Sequence, residues 1–164
     1  MEQKDTAIKD LIINAWVERI ARVTRLLNEL HDEQLEREIA PTKNTGSYLV
    51  GHLVAIHDAM SPILGLGDKA YPELEEIYIR NRDRSGLSTP SITQLRQYWT
   101  EVHKKLEGQF RSLSVAQWLQ KHTLVSEEDF QREPHRNRLN VVLNRMNHLS
   151  YHFGQLILLK PAGD

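Results

Sequence analysis

The stretch that decides the fold is Leu139–Leu159, LNVVLNRMNHLSYHFGQLILL. Its apolar residues recur every three or four positions, which is the spacing of an amphipathic helix. Arg145 is the only formal charge in the stretch. Because a helix with almost no charge on any side makes a poor solvent surface, we expect this helix to be buried on more than one face.

Helical geometry divides the stretch into two faces. One is an apolar stripe made of Leu139, Val142, Leu143, Met146, Leu149, Phe153 and Ile157. The roughly opposite face carries His148 and His152, about 40° apart. With them lie Asn144, Tyr151 and Gln155, and also Val141 and Leu159. This polar face either lines a cleft or packs in a dimer interface, and the pattern leaves both interpretations open.

Three further long helices are predicted before this stretch, over residues 6–30, 47–64 and 91–110. Thr45 or Ser47 is expected to cap the second helix, and Ser91-Ile92-Thr93-Gln94 has the form of a capping box for the third. Short helical turns are expected at Pro72–Glu76 and around Trp118. Period-2 alternation is absent and β-branched residues are sparse, so no strand is predicted. We expect an all-α fold, a four-helix bundle with long connecting loops and short extra helical turns, formed as one domain by residues 1–164.

The composition narrows the classes of function. The chain has 164 residues, a formal net charge of −1, eight histidines and no cysteine. Interspersed charges do not suggest a nucleic-acid surface, and no apolar run approaches the roughly 20 residues of a membrane span. Without cysteine, the strong metal ligands left are His, Asp and Glu. The polar N-terminus is not a signal peptide, so we expect a soluble cytoplasmic protein.

The pair His148 and His152 is the only histidine pair at i, i+4 spacing in the chain. One helical turn apart on one face, both rings can reach a single metal ion. The intervening residues lack the glutamate of a zinc-protease HExxH motif, and no Glu-x-x-His of a di-iron bundle occurs anywhere. HxxxH alone is a weak signal, because two ligands do not make a site.

His52 is the best candidate for a third ligand. It lies in Gly51-His52-Leu53 among apolar neighbours, and a lone histidine on such a face is more often a core residue than a ligand. A buried His52 needs a polar partner, and the pair His148 and His152 needs a third ligand. If the two helices are neighbours, each supplies what the other lacks. His57 lies about 140° round the helix from His52 and is interpreted, with Asp58, as a supporting or surface group. The remaining histidines, expected to be solvated, are His31, His103, His122 and His135.

These residues resemble the DinB-like or YfiT-like family of four-helix bundles. That family has a "GHL" histidine in its second helix and an "HxxxHxGQ" motif in its last, which here are Gly51–Leu53 and His148–Gln155. The resemblance covers essentially the whole chain. It implies a mononuclear divalent site, with zinc or nickel most usual, held by His52, His148 and His152 with one or more positions left to water. It also implies a homodimer.

Characterised relatives in that family are thiol-dependent S-transferases and a thiol-dependent isomerase, and many others are described as metal-dependent hydrolases. We therefore expect an enzyme that acts on a small electrophilic substrate through a metal-bound water or thiolate, with a low-molecular-weight thiol as one candidate partner. The alternative is a non-catalytic, dimeric metal- or ligand-binding bundle with a vestigial site. Residues expected to line the cleft are Tyr48, Asn144, Tyr151 and Gln155. Spacing does not single out a general base among Asp58, Glu101, Glu127 and Glu128.

Overall fold

Four long helices form the body of the protein, as the sequence predicts. In the computed structural model, which describes residues 2–161 and side chains from residue 6 onward, they are α1 (Glu2–Glu29), α3 (Gly46–Asp58), α5 (Ile92–Ser112) and α8 (Arg138–Ile157). Helices α1 and α3 each pack against both α5 and α8. Helices α3 and α8 are therefore neighbours, which the predicted His52 site requires.

Shorter elements occupy the connections. They are α2 (Asp32–Leu35), α4 (Met60–Ile63), a π-helical turn (Glu76–Arg80), α6 (Val115–Trp118) and α7 (Glu127–Arg132). Two isolated bridges occur, and residues 2–161 contain no strand. The all-α prediction is confirmed. None of the helices in this part of the chain combines the length and the low charge that a bilayer-spanning helix needs.

Side-chain caps set several of the helix starts. The Thr45 side chain accepts a hydrogen bond from the Tyr48 backbone N–H and caps α3. Ser91 forms the predicted capping box with Gln94, and Ser114 forms a second one with Gln117 at the start of α6. The predicted second helix is interrupted at Ala59, so that it becomes α3 and α4. Helices α2 and α7 were not predicted.

Helix α8 corrects the predicted division into two opposite faces. Its buried residues are Val142, Met146, Leu149, His152 and Leu156. Leu143 and Ile157, expected in the apolar stripe, are 43% and 42% exposed. The buried stripe is rotated toward the histidines because α8 packs against α1 and α3 together. His152 therefore lies beside the core stripe and not opposite it.

Candidate metal centre

Three histidines from two helices converge at the α3–α8 contact. The Nε2 atom of His148 lies 3.3 Å from Nε2 of His52 and 3.1 Å from Nε2 of His152. One ligand atom of each residue lies within 4.8 Å of the others. His152 is buried, and His52 and His148 are partly buried. The structure thus brings together the three histidines that the sequence singled out.

The backbone of the π-helical turn orients His52. Its Nδ1 atom lies 2.8 Å from the backbone carbonyl oxygen of Tyr78, which can only accept, so Nδ1 carries the proton. Nε2 is then a lone pair that points at the cluster. Gly51 makes this contact possible, because a Cβ atom there would meet the Tyr78 ring at 2.3 Å.

A side-chain relay orients His152. Its Nδ1 lies 2.6 Å from Oε1 of Gln155, and Nε2 of Gln155 donates to the hydroxyl of Tyr151 at 3.2 Å. With its amide nitrogen directed at Tyr151, Gln155 presents its oxygen to the imidazole, so Nδ1 of His152 is protonated. The Nε2 atom of His152 is therefore also a lone pair facing the cluster.

His148 completes the donor set. Its Nδ1 atom is buried and has no hydrogen-bond partner among the described residues. A proton on its Nε2 can be shared with the lone pairs of His52 and His152. A divalent cation at the same place would instead take the lone pair of Nε2, with the ring proton on Nδ1. Three converging imidazole nitrogens are a donor set that zinc and nickel accept. The residues present therefore fit such an ion.

The electrostatics of the cluster favour neutral imidazoles. Burial, reinforced by His152, His52 and Arg145, lowers the pKa of His148 to about 4. Burial also lowers the pKa of His152, although the hydrogen bond to Gln155 opposes that effect. Because only a neutral imidazole can bind a metal, these shifts keep both rings in the form that metal binding requires at neutral pH.

The predicted cleft residues separate into supporting and distant groups. Tyr48 stacks on His52 with ring centroids 6.4 Å apart, and its hydroxyl donates to the carbonyl of Asn81 at 2.7 Å. Tyr48 also lines a groove of about 760 Å³, which the three histidines do not line. The Tyr151 ring contacts the His152 ring, and Gln155 accepts the hydrogen bond from His152 described above. Asn144 is exposed, and the structure records no contact between it and the cluster.

A second histidine pair lies away from the cluster, and it corrects two predictions. His103, expected to be solvated, is 6% exposed, and His57 is completely buried. Nδ1 of His103 lies 2.6 Å from the carbonyl oxygen of Trp99, and its Nε2 lies 2.7 Å from Nδ1 of His57. His103 must therefore accept the proton of His57, and Nε2 of His57 is left as a buried lone pair without a partner in the described part of the chain.

The environment of this pair explains its burial. The rings of Trp16 and Trp99 contact both histidines. Burial lowers the pKa of His103 to about 3, and burial together with His103 holds the pKa of His57 well below its usual range. Both rings are neutral at physiological pH. Among the other histidines, His31 and His135 are exposed as expected and His122 is partly buried.

None of the four carboxylates considered as a general base belongs to the cluster. Asp58 is buried and accepts the backbone N–H groups of Ala70 and Tyr71 at 2.8 Å each, so it holds the following loop. Glu101 hydrogen-bonds to the Tyr71 hydroxyl and to Gln97. The remaining two lie exposed in α7, where Glu128 pairs with Arg132.

Sequence reasoning missed Tyr78, whose carbonyl fixes the tautomer of His52. A glycine directly before a histidine inside an apolar helix was the available signal, because such a glycine marks close approach of another chain segment. The segment itself could not be named, since any backbone carbonyl can accept and the π-helical turn has no sequence signature of its own.

The helical bundle and its three-histidine cluster define an all-α protein whose site is compatible with a metal-dependent enzyme. The sequence model of the DinB superfamily matches residues 15–156, a range that includes all three histidines. The chain belongs to the DinB superfamily, and the predicted resemblance is confirmed. A search of curated proteins gave no match.

Proposed function

We propose that this protein is a divalent-metal-dependent enzyme that acts on a small electrophilic substrate, either as a hydrolase or as a low-molecular-weight-thiol S-transferase. The observation that carries the proposal is the convergence of three histidine Nε2 atoms. In two of these residues, His52 and His152, the Nδ1 atom is held by a hydrogen-bond acceptor. We assign His52, His148 and His152 as the ligands, and zinc or nickel as the ion.

The chemistry follows from the donor set. When bound, a divalent ion held by three neutral imidazoles would act as a Lewis acid and lower the pKa of a water or thiol in its open position. Tyr78 and Gln155 keep the protons of His52 and His152 on Nδ1. Since the ligands carry no negative charge, the full charge of the ion remains available to polarise the substrate or nucleophile.

Hydrolysis or thiol transfer could use a cysteine thiol or a carboxylate at the cluster, and the described part of the chain supplies neither group. The chain has no cysteine, so the thiol of a transferase reaction would have to come from a small molecule. No described carboxylate belongs to the cluster, so no acidic side chain stands ready as a general base. Both reactions remain within the proposal because each needs only a nucleophile whose pKa is lowered by the ion.

We also propose that the protein is a homodimer. Exposed apolar side chains on and after α8 support this assignment, among them Leu143, Ile157 and Leu158. The molar mass measured by light scattering after size-exclusion chromatography tests this assignment directly. A mass of one chain, 19.1 kDa, would contradict it.

The reaction is tested by comparing metal-free protein with protein loaded with zinc or nickel. One assay follows conjugation of a low-molecular-weight thiol to a model electrophile, and a second follows cleavage of a model ester and amide. Conjugation only in the loaded form supports the transferase, and cleavage without conjugation supports the hydrolase. No activity in either assay, despite bound metal, would leave the non-catalytic bundle as the better account.

A further inference from the structure

Arg145 lies beside the histidine cluster and has no partner in the described part of the chain. The partly buried arginines of the described chain are Arg19, Arg96, Arg136, Arg138 and Arg145. The first four each donate a hydrogen bond to a carbonyl or side-chain oxygen. Arg145 makes no hydrogen bond, ion pair or ring contact with any described residue, and its Nε atom is buried without a partner.

A buried donor without an acceptor is unfavourable. The Nε–H group of Arg145 is such a donor, and its desolvation costs free energy that an accepting group would recover. Burial lowers the pKa of Arg145, and no described carboxylate opposes that effect. Arg145 is also the only formal charge in the stretch Leu139–Leu159, so no neighbour on its own helix neutralises it.

The location connects Arg145 to the proposed metal site. Arg145 precedes His148 by three residues on α8, which places it about 60° round the helix and one turn away. Its charge contributes to lowering the pKa values of both His148 and His57. The guanidinium therefore lies within electrostatic range of the cluster, on the side toward the N-terminal end of α8.

We propose that Arg145 binds an oxyanion group of the substrate, a carboxylate, phosphate or sulfonate, while the electrophilic centre of the same molecule faces the three histidines. This inference rests on the proposed function and narrows its substrate class to anionic electrophiles. A planar guanidinium can donate two parallel hydrogen bonds to such a group, which fixes the orientation as well as the position of the substrate.

The binding step is tested on metal-free protein by NMR, so that no anion can bind to a metal ion instead. The Nε–H signals of the arginines are followed near neutral pH while acetate is added in one titration and inorganic phosphate in another. Arg145→Gln assigns the signal of Arg145, and Arg145→Lys serves if that variant does not fold. Arg25→Gln is the control, because Arg25 is an exposed arginine on α1.

We expect the Arg145 signal to shift with saturation in wild type and in Arg25→Gln. Saturation by acetate alone indicates a carboxylate substrate, and saturation by phosphate indicates a tetrahedral oxyanion. In Arg145→Gln the binding of that anion, followed on backbone signals, should weaken about 10- to 100-fold, as expected for losing hydrogen bonds to a charged group. An Arg145 signal that shifts no more than those of exposed arginines, with both anions, would overturn the proposal.

A parallel zinc titration separates this inference from the proposed function. Arg145 is not a ligand, so Arg145→Gln should bind zinc at least as tightly as wild type, because a nearby positive charge is removed. Zinc binding without saturable anion binding overturns only the role of Arg145. Saturable anion binding by a protein that takes up neither zinc nor nickel, the latter titrated in the same way, supports the role of Arg145 and contradicts the metal-dependent enzyme.

Discussion

Nδ1 of His52 lies 2.8 Å from the backbone carbonyl oxygen of Tyr78, and this contact determines which nitrogen of His52 faces the histidine cluster. The contact exists because Tyr78 packs directly on the helix backbone at Gly51. The absence of a side chain at Gly51 thus allows the contact that keeps the proton of His52 on Nδ1.

Gly51→Ala tests this coupling. The added Cβ would lie 2.3 Å from the buried Tyr78 ring, so the ring must shift. We expect the backbone of Tyr78 to shift with it and to weaken the hydrogen bond to His52. We expect a loss of about 1–3 kcal/mol in the free energy of unfolding from overpacking, and weaker zinc binding. Gly108→Ala in α5 is the matched control, because a Cβ there has nothing within 4 Å. That variant should be unchanged or more stable, by up to about 1 kcal/mol.

Gln155→Ala tests the second orienting contact. Removing Oε1 leaves Nδ1 of His152 without its acceptor, and loss of such a group typically weakens metal binding about 10- to 100-fold. Tyr151→Phe removes only the hydroxyl that accepts from Gln155, so its effect should be smaller. Competition with a chromogenic chelator measures both affinities. Equal zinc affinity in wild type and Gln155→Ala would show that Gln155 does not orient the ligand.

Acid should destabilise the metal-free protein through its buried histidines. The pKa of His103 is lowered to about 3 in the folded state, against about 6.5 when unfolded. Between these values the unfolded chain binds the extra proton, so stability falls as the pH falls below about 6.5. Each such histidine contributes a slope of up to about 1.4 kcal/mol per pH unit. His57, His148 and His152, whose pKa values are also lowered, add to it.

Urea unfolding at a series of pH values measures this slope. His103→Gln offers His57 a neutral acceptor in place of the imidazole, and it should have a shallower decline in acid than wild type. His135→Gln, in which an exposed histidine is replaced, should keep the wild-type slope. An identical slope in all three proteins would show that the buried pair is not the cause.

Asp58 should be important for stability and not for catalysis, although it was considered as a general base. Its carboxylate accepts two backbone N–H groups, from Ala70 and Tyr71, and is 1% exposed. Asp58→Ala removes a buried acceptor and leaves two part-buried N–H donors unpaired, so we expect a loss of about 2–4 kcal/mol in the free energy of unfolding. Asp68→Ala in the same loop is the control, because Asp68 is exposed and its carboxylate makes no recorded hydrogen bond. A fully stable Asp58→Ala protein would contradict the account of this loop.

The sequence identified the three clustered histidines because their helices carry almost no charge and their spacing is strict. It did not identify the buried position of His103, since Lys104 and Lys105 follow it and suggested a solvated segment. Helical spacing from Trp99 and to Leu106 places His103 on the buried stripe of α5, and this spacing outweighs the neighbouring charges. The carbonyl of Tyr78 lay beyond sequence reasoning, because a backbone acceptor is specified by the path of the chain and not by residue type.

The most direct test of the central claim is calorimetric titration of untagged, metal-free protein with zinc. We predict one zinc bound per chain in wild type and in His135→Ala, and none at comparable affinity in His148→Ala or His152→Ala. Wild-type protein that binds no zinc or nickel, or a His148→Ala variant that binds as tightly as wild type, would contradict the assignment of the three histidines as a metal site.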